Sequence, residues 1–232
     1  SLLEKTNEFD KRTYGDTFCN FVNDFNGDGR LDLLVVDFPG KPTWWFENPG
    51  ARGGVWKRTL CVNETNNESP NYLDINNDGV PELIFGFEKQ QMGLANPAAS
   101  SPYADWIKRP ISQEKAPGAE KFSHGLGVGD INGDGRIDVV VTAGWWEAPP
   151  LGSNEKWKFH PAPFGEPCSH MYVYDYDGDG DADILSASAH RVGVWYYEQT
   201  PEGWVTHEID ASCAQTHATC LADLNGDGLP DL

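Results

Sequence analysis

The sequence predicts an all-β chain, a β-propeller of four-stranded blades with four complete repeats and a partial fifth. Three observations predict it. An acidic nonapeptide returns five times at intervals of 45 to 56 residues, a β-rich run follows each complete copy, and glycine or proline punctuates every junction. No apolar period of 3.6 residues persists over a useful window, so helices are not expected. A self-similar unit of this length that cannot bury its own faces must stack against its neighbours.

The nonapeptides occupy residues 24–32, 74–82, 130–138, 175–183 and 223–231. Positions 1, 3, 5 and 9 offer side-chain oxygens. These are Asp24, Asn26, Asp28 and Asp32 in the first copy and Asp74, Asn76, Asp78 and Glu82 in the second. The third carries Asp130, Asn132, Asp134 and Asp138, the fourth Asp175, Asp177, Asp179 and Asp183, and the fifth Asp223, Asn225, Asp227 and Asp231. Position 7 (Arg30, Val80, Arg136, Asp181 and Leu229) varies freely, as expected if it gives only its backbone carbonyl, and glycine at position 6 permits the turn. Such a ring of hard oxygens suits calcium, with four to five structural ions in all; magnesium prefers strict octahedra and keeps its waters. The fourth loop, with Asp177 in place of asparagine, is expected to bind tightest. The second, with Asn77 and Glu82, is expected to be weakest. One site per repeat points to a staple on each blade, because catalysis needs only one open ion. A helix-loop-helix calcium site is disfavoured: its bidentate glutamate at position 12 is replaced by Val35, Phe85, Val141 and Ser186.

Each loop joins two expected strands, and the second is read from Leu33-Leu-Val-Val, Leu83-Ile-Phe, Val139-Val-Val and Ile184-Leu-Ser-Ala. A third comes from aromatic clusters at Trp44-Trp-Phe-Glu, Trp145-Trp-Glu and Trp195-Tyr-Tyr-Glu. The second repeat lacks this cluster and has instead a Gln/Ala/Ser/Pro-rich excursion over about residues 90–103. A fourth opens on Trp56, Trp106, Trp157 and Trp204. The expected boundaries are 14–65, 66–112, 113–162 and 163–210 for the four blades and 211–232 for the partial fifth, in one propeller domain or fragment. Residues 1–13, with Phe9-Asp-Lys-Arg12, are expected to supply an outer strand that closes a ring.

These motifs resemble the FG-GAP/VCBS-type repeats of integrin α-subunit-like propellers, over essentially the whole chain. The resemblance implies that the calcium loop joins the first and second strands of each blade and that a complete ring has seven. The chain therefore reads as a fragment, partnered by the remaining blades of a longer protein.

The formal charge is −19, and 17 of the 36 acidic residues lie in the nonapeptides. Five bound divalent ions would bring −19 to −9. No basic run appears, which argues against nucleic acid, and no stretch approaches the roughly 20 apolar residues of a membrane helix. Weak calcium modules are typical outside the cell, so a secreted, periplasmic or cell-surface setting is expected. The five cysteines have no zinc spacing, and Asn63 and Asn67 fit the glycosylation acceptor pattern.

Counting back six residues from each nonapeptide, about 20 Å along a strand, reaches the opposite face. Phe18, Glu68, His124, Ser169 and His217 stand there, and the second strand returns to it near Asp37, Lys41, Lys89, Trp145, His190 and Arg191. His124, His190 and His217 are expected to converge on this rim, with His170 one residue out of register. His160 and His207 look structural. The rim is the candidate site, with two readings. A calcium-stabilised scaffold would hold a carbohydrate or protein ligand there in binding or adhesion. Alternatively, a carbohydrate-active lyase or dehydratase would use the histidines for catalysis, with or without a transition metal.

Overall fold

The computed structural model describes residues 15–51, 53–99, 101–153, 155–165 and 168–232. The predicted closing strand at Phe9-Asp-Lys-Arg12 lies outside them. The chain forms two compact units, one from residues up to Leu73 with Val80–Phe122, the other from Asp74–Gly79 with Ser123–Leu232. Both are all-β with propeller-like repeats, and a 3-10 turn at Glu88–Gln90 is the one helical feature among the described residues. No helix there is long and apolar enough to cross a membrane.

The first unit holds two four-stranded antiparallel meanders. β1 (Thr17–Asn23), β2 (Asp32–Asp37), β3 (Lys41–Glu47) and β4 (Lys57–Thr65) pair in sequence order. So do β5 (Asn71–Leu73), β6 (Glu82–Phe87), β7 (Gln91–Asn96) and β8 (Ile107–Pro110). The second strand of each is the most buried, because it has neighbours on both edges and side chains over both faces. That is why its sequence is a continuous apolar run rather than an alternation.

The excursion in the second repeat begins with its third strand, β7. β7 fits because Gly93 leaves room: a β-carbon there would strike the Phe87 ring and the Arg109 carbonyl. Phe85 and Phe87, with centroids 5.3 Å apart, supply from the second strand the aromatic bulk that the other repeats place on the third. Leu34, Trp45, Cys61, Leu83, Phe85 and Trp106 form the shared core. Phe25, position 2 of the first nonapeptide, plugs into it, with ring centroids 5.8 Å from both Trp45 and Trp106.

The second unit holds β9 (Leu126–Gly129), β10 (Asp138–Val141), β11 (Gly144–Glu147) and β12 (Lys158–Pro161). They are followed by β13 (Cys168–Tyr174), β14 (Asp183–Ser188), β15 (Val192–Thr200) and β16 (Gly203–Ala214). Both sets are antiparallel meanders, and β9 also pairs parallel with β13 through His170↔Leu126, Met171↔Gly127 and Tyr172↔Val128. The result is one eight-stranded sheet. Ile131, position 2 of the third nonapeptide, is fully buried with Met171, Ile184 and Tyr197. β16 runs four residues past the expected boundary at 210. Around the fifth loop the described residues make an isolated bridge, Ala222↔Asp231.

Two sequence signals resolve into packing. Asn67 is buried, donating to the Gly118 carbonyl and accepting from the Gly86 N–H, so that acceptor pattern serves the fold; Asn63 is exposed. All five cysteines are free thiols, with Cys61 and Cys168 packed in the two cores.

The parallel seam is tight at Gly127. A β-carbon on Gly127 would collide with the Met171 carbonyl oxygen. Gly127→Ala is therefore expected to cost roughly 1–3 kcal/mol, or more if the seam opens, read as a lowered denaturation midpoint. An unchanged midpoint would mean that the two strands separate freely.

Candidate functional site

Each nonapeptide is a cage of backbone donors around its own carboxylates. In the first, Gly27 and Asp28 N–H groups donate to Asp24 Oδ1 at 2.8 and 3.0 Å, and Gly29 donates to Oδ2 at 2.7 Å. Asp28 N–H also reaches Asn26 Oδ1 at 3.1 Å. The Gly29 N–H, aided by its neighbours, holds the Asp24 carboxyl below its usual range, and the Gly228 N–H does the same for Asp223. Positions 4 and 6 both need positive φ. Asn77, at 60°, takes the place of glycine at position 4 of the second loop, as asparagine tolerates that region.

Position 9 has a structural role that the pattern of oxygens did not reveal. Asp32, Asp138 and Asp183 are buried, and each spans two backbone donors. One oxygen accepts the position-2 N–H: Phe25 at 3.3 Å, Ile131 and Tyr176 at 3.1 Å. The other accepts an N–H just beyond or within the third strand: Asn48 at 2.7 Å, Ala148 at 2.8 Å and Gln199 at 2.9 Å. Asp231 accepts the Leu224 N–H at 2.8 Å. Burial nevertheless pushes the Asp138 carboxyl up to about 6, against the pull of those two donors, and raises Asp183 as well. Glu82 differs, because its buried carboxylate meets the Arg109 guanidinium at 2.9 Å.

Position 7 is also more than a carbonyl. Arg30 and Arg136 pair with the position-5 carboxylates of their loops, Asp28 and Asp134. They also donate to the Asn48 and Ala148 carbonyls at 3.1 and 2.8 Å. In the fourth loop this cation is replaced by Asp181, whose carboxyl is raised by burial and by Asp179, Asp183 and Asp177. There, Asp175, Asp177 and Asp183 bring ligand atoms within 4.8 Å of one another, an arrangement that fits one cation.

The sheet ends opposite the loops carry the other candidates. In the second unit, the turn before β9 places His124, the β14–β15 turn places His190, and the segment after β16 places His217. Their ring centroids lie 4.5, 4.9 and 5.5 Å apart. His170 does not join them. It sits half-buried on β13 with its ring 6.4 Å from Tyr172, and its burial lowers its pKa. His160 and His207 pair with Glu147 and Glu198 at 2.7 and 2.6 Å, and stack on Trp145 and Tyr196. They clamp the fourth strand to the third. Of the tryptophans in the third-strand clusters, Trp45, Trp145 and Trp146 are core, while Trp44 lies under Arg58, 4.5 Å from its ring.

In the first unit, the corresponding end forms a cavity of about 460 Å3 lined by Glu64, Asn66, Lys89, Gln90, Glu114, Lys115 and Lys121. Sequence reasoning placed only Lys89 near it, because its walls come from irregular segments. Lys115 and Ala116 N–H groups donate to the Lys89 and Gln90 carbonyls at 3.0 and 2.8 Å, and Asn66 Nδ2 donates to Phe87 and Ala119. Lys89 pairs with Glu114 at 2.7 Å. Lys89, Gln90 and Lys115 all hold positive φ, near 60°, and the buried Asn66 Oδ1 has no hydrogen-bond partner among the described residues.

The sequence profile of the FG-GAP-like repeat matches residues 24–85 and 175–232. No curated protein matches the sequence. Among solved structures, the chain is similar to a lectin of Agrocybe aegerita that recognises non-reducing terminal N-acetylglucosamine. The TM-score is 0.56 at 14% identity, over 93% of this chain and 60% of the lectin. A bifunctional GH43-CE protein of Bacteroides eggerthii gives 0.46 at 13% identity, over 82% of this chain and 26% of that one. The biofilm matrix protein Bap1 of V. cholerae gives 0.38 at 14%, over 85% and 38%. The lectin likeness supports the propeller-like fold, and the chain spans less than two thirds of each of these three proteins.

The structural role of position 9 can be separated from metal binding by mutation. Asp138→Asn removes one of two acceptors for buried N–H groups and is expected to cost about 1–3 kcal/mol with or without calcium. Asp134→Asn is expected to stay within about 0.5 kcal/mol of the parent in chelator. Denaturant titrations of both proteins in EDTA check this. Equal stabilities there would leave position 9 with a metal-only role.

Proposed function

Because the chain belongs to the FG-GAP-like repeat family, we propose that it is an extracytoplasmic carbohydrate-binding scaffold. Each of its four meanders is a propeller blade, calcium staples the nonapeptide loops, and ligand is held at the ends opposite them. The observation that carries this reading is the polar cavity of the first unit. All seven lining side chains can donate or accept hydrogen bonds, which suits the hydroxyls of a sugar better than an apolar ligand. Three non-glycine residues in left-handed conformations at one cavity wall are backbone strain of the kind that gathers at functional sites. Phe122, next to Lys121, is 45% exposed, and the Lys121 ammonium lies 5.1 Å from its ring centroid. Lys115 and Lys121 favour a sugar bearing a carboxylate or sulfate. The N-acetylglucosamine specificity of the similar lectin makes that sugar the neutral probe to compare.

Calcium would be held by Asp24, Asn26, Asp28, the Arg30 carbonyl and Asp32, and by the matching sets of the other loops. The fourth loop is the tightest of these sites, since Asp181 adds negative charge where Arg30 and Arg136 compete for the position-5 carboxylate. The second is the weakest, since Arg109 already neutralises Glu82. The ions add stability because they bind the folded loops and not the unfolded chain.

Two measurements test these statements. At calcium tenfold above Kd, each site contributes about 1.4 kcal/mol. For a chain of this size that is roughly 3–6 °C of melting temperature per site. Chelation that leaves the transition in place would defeat the calcium reading. For the ligand, calorimetry with acidic and N-acetylglucosamine-terminated oligosaccharides is expected to detect binding that Lys115→Ala weakens by about tenfold or more, at unchanged melting temperature. Failure of every oligosaccharide to bind, or equal binding by the variant, would remove the carbohydrate assignment.

A further inference from the structure

Three histidines from separate stretches meet at the turn end of the second unit, and one nitrogen from each lies within 4.8 Å of the others. Their planes are steeply inclined, at 78°, 87° and 64°, so the rings close around a common point rather than stacking. Burial does not account for the grouping. His124 is nearly buried, but His190 and His217 are exposed, and exposed polar rings gain little from packing on one another.

The backbone brings them together. Thr216 N–H donates to the Ser188 carbonyl and Gln215 N–H to the Arg191 carbonyl, both at 2.8 Å, binding the His217 segment to the turn that carries His190. Arg191 N–H donates to Ser188 Oγ at 2.9 Å and shapes that turn. Gln215 holds a positive φ of 55°, reversing the chain just before His217. Behind His124, Gly125 at φ 74° leaves no room for a β-carbon between Thr142 and Cys168.

One hydrogen bond sets a tautomer. His217 Nδ1 lies 3.1 Å from the Gln215 carbonyl oxygen. A carbonyl can only accept, so Nδ1 carries the proton and Nε2 keeps its lone pair for a ligand. This is how metal-binding imidazoles are commonly oriented.

We infer that His124, His190 and His217 bind one divalent ion of the zinc, cobalt, nickel or copper class. Three imidazole nitrogens with no carboxylate in the group suit these ions and not calcium or magnesium. Nitrogen–metal bonds of about 2.0–2.1 Å put donors roughly 3.4 Å apart in a tetrahedron, and rotation of the two exposed rings closes that gap. Three protein ligands leave a coordination position for water or an oxygen donor from a ligand, and it faces solvent because two of the rings do. The site is thus of the open kind that polarises a bound oxygen, unlike the four-ligand structural kind. It does not depend on the carbohydrate reading, which rests on side chains of the first unit.

The test uses the whole chain in excess calcium, which occupies the acidic loops, titrated with cobalt(II) and followed by its visible absorption and by elemental analysis. The native chain is expected to retain one cobalt per molecule with bands of a nitrogen-ligated ion, displaced by zinc. His190→Ala/His217→Ala is expected to lose both metal and bands, and His190→Gln alone to weaken binding. His160→Ala/His207→Ala, which alters the outer clamps, is expected to keep the cobalt. The inference is overturned if calcium displaces the cobalt, if the native chain retains none, or if the His190/His217 variant binds it as the native chain does.

Discussion

A buried carboxylate shared between two backbone N–H groups is the interaction on which three of the repeats depend. Asp32, Asp138 and Asp183 each tie the second residue of a nonapeptide to the end of a third strand. Without that bridge the loop would leave two donors unsatisfied in the interior, a cost comparable to a lost hydrogen bond each. With it, the chain between positions 2 and 9 becomes a rigid handle. The handle aims an apolar side chain, Phe25 or Ile131, into the core beside it. Burial alone would penalise the charge of this carboxylate. The two N–H donors oppose that penalty, which is how a buried acidic residue is tolerated there.

The repeats vary around that bridge in physically compensated ways. Where the third strand lacks tryptophan, the second strand supplies Phe85 and Phe87 and the third gives up a side chain at Gly93. Where position 9 is glutamate, Arg109 meets it, and Asn96 meets Arg109 at 2.8 Å. Where the fourth strand carries histidine, a glutamate on the third receives it. Each substitution keeps buried polar groups paired and the interior filled.

Much of this was legible in the residues. Oxygens at odd positions marked the loops, apolar runs marked the central strands, and counting along strands brought His124, His190 and His217 to one end. His170 shows how sharp that rule is, since a shift of one residue turns a strand side chain to the other face. Two parts were hidden. A metal ligand and a structural acceptor both call for aspartate, so the bridging role of position 9 had no distinct signature. The lysine-lined cavity is assembled by turns whose course depends on long-range hydrogen bonds, such as those of Asn66, and has no period to read. The third strand of the second repeat, Gln91–Asn96, has no aromatic signature for a simpler reason: glycine and alanine there make space for phenylalanines written elsewhere.

The parallel pairing of β9 with β13 has a consequence for how the molecule comes apart. Repeat proteins are expected to fray one module at a time, because neighbours usually touch only through side chains. Here two successive meanders share main-chain hydrogen bonds at their inner edges, so neither can peel away without opening the other's first strand. The smallest piece of the second unit that can detach is therefore a pair of repeats, and its seam amides exchange only when both let go.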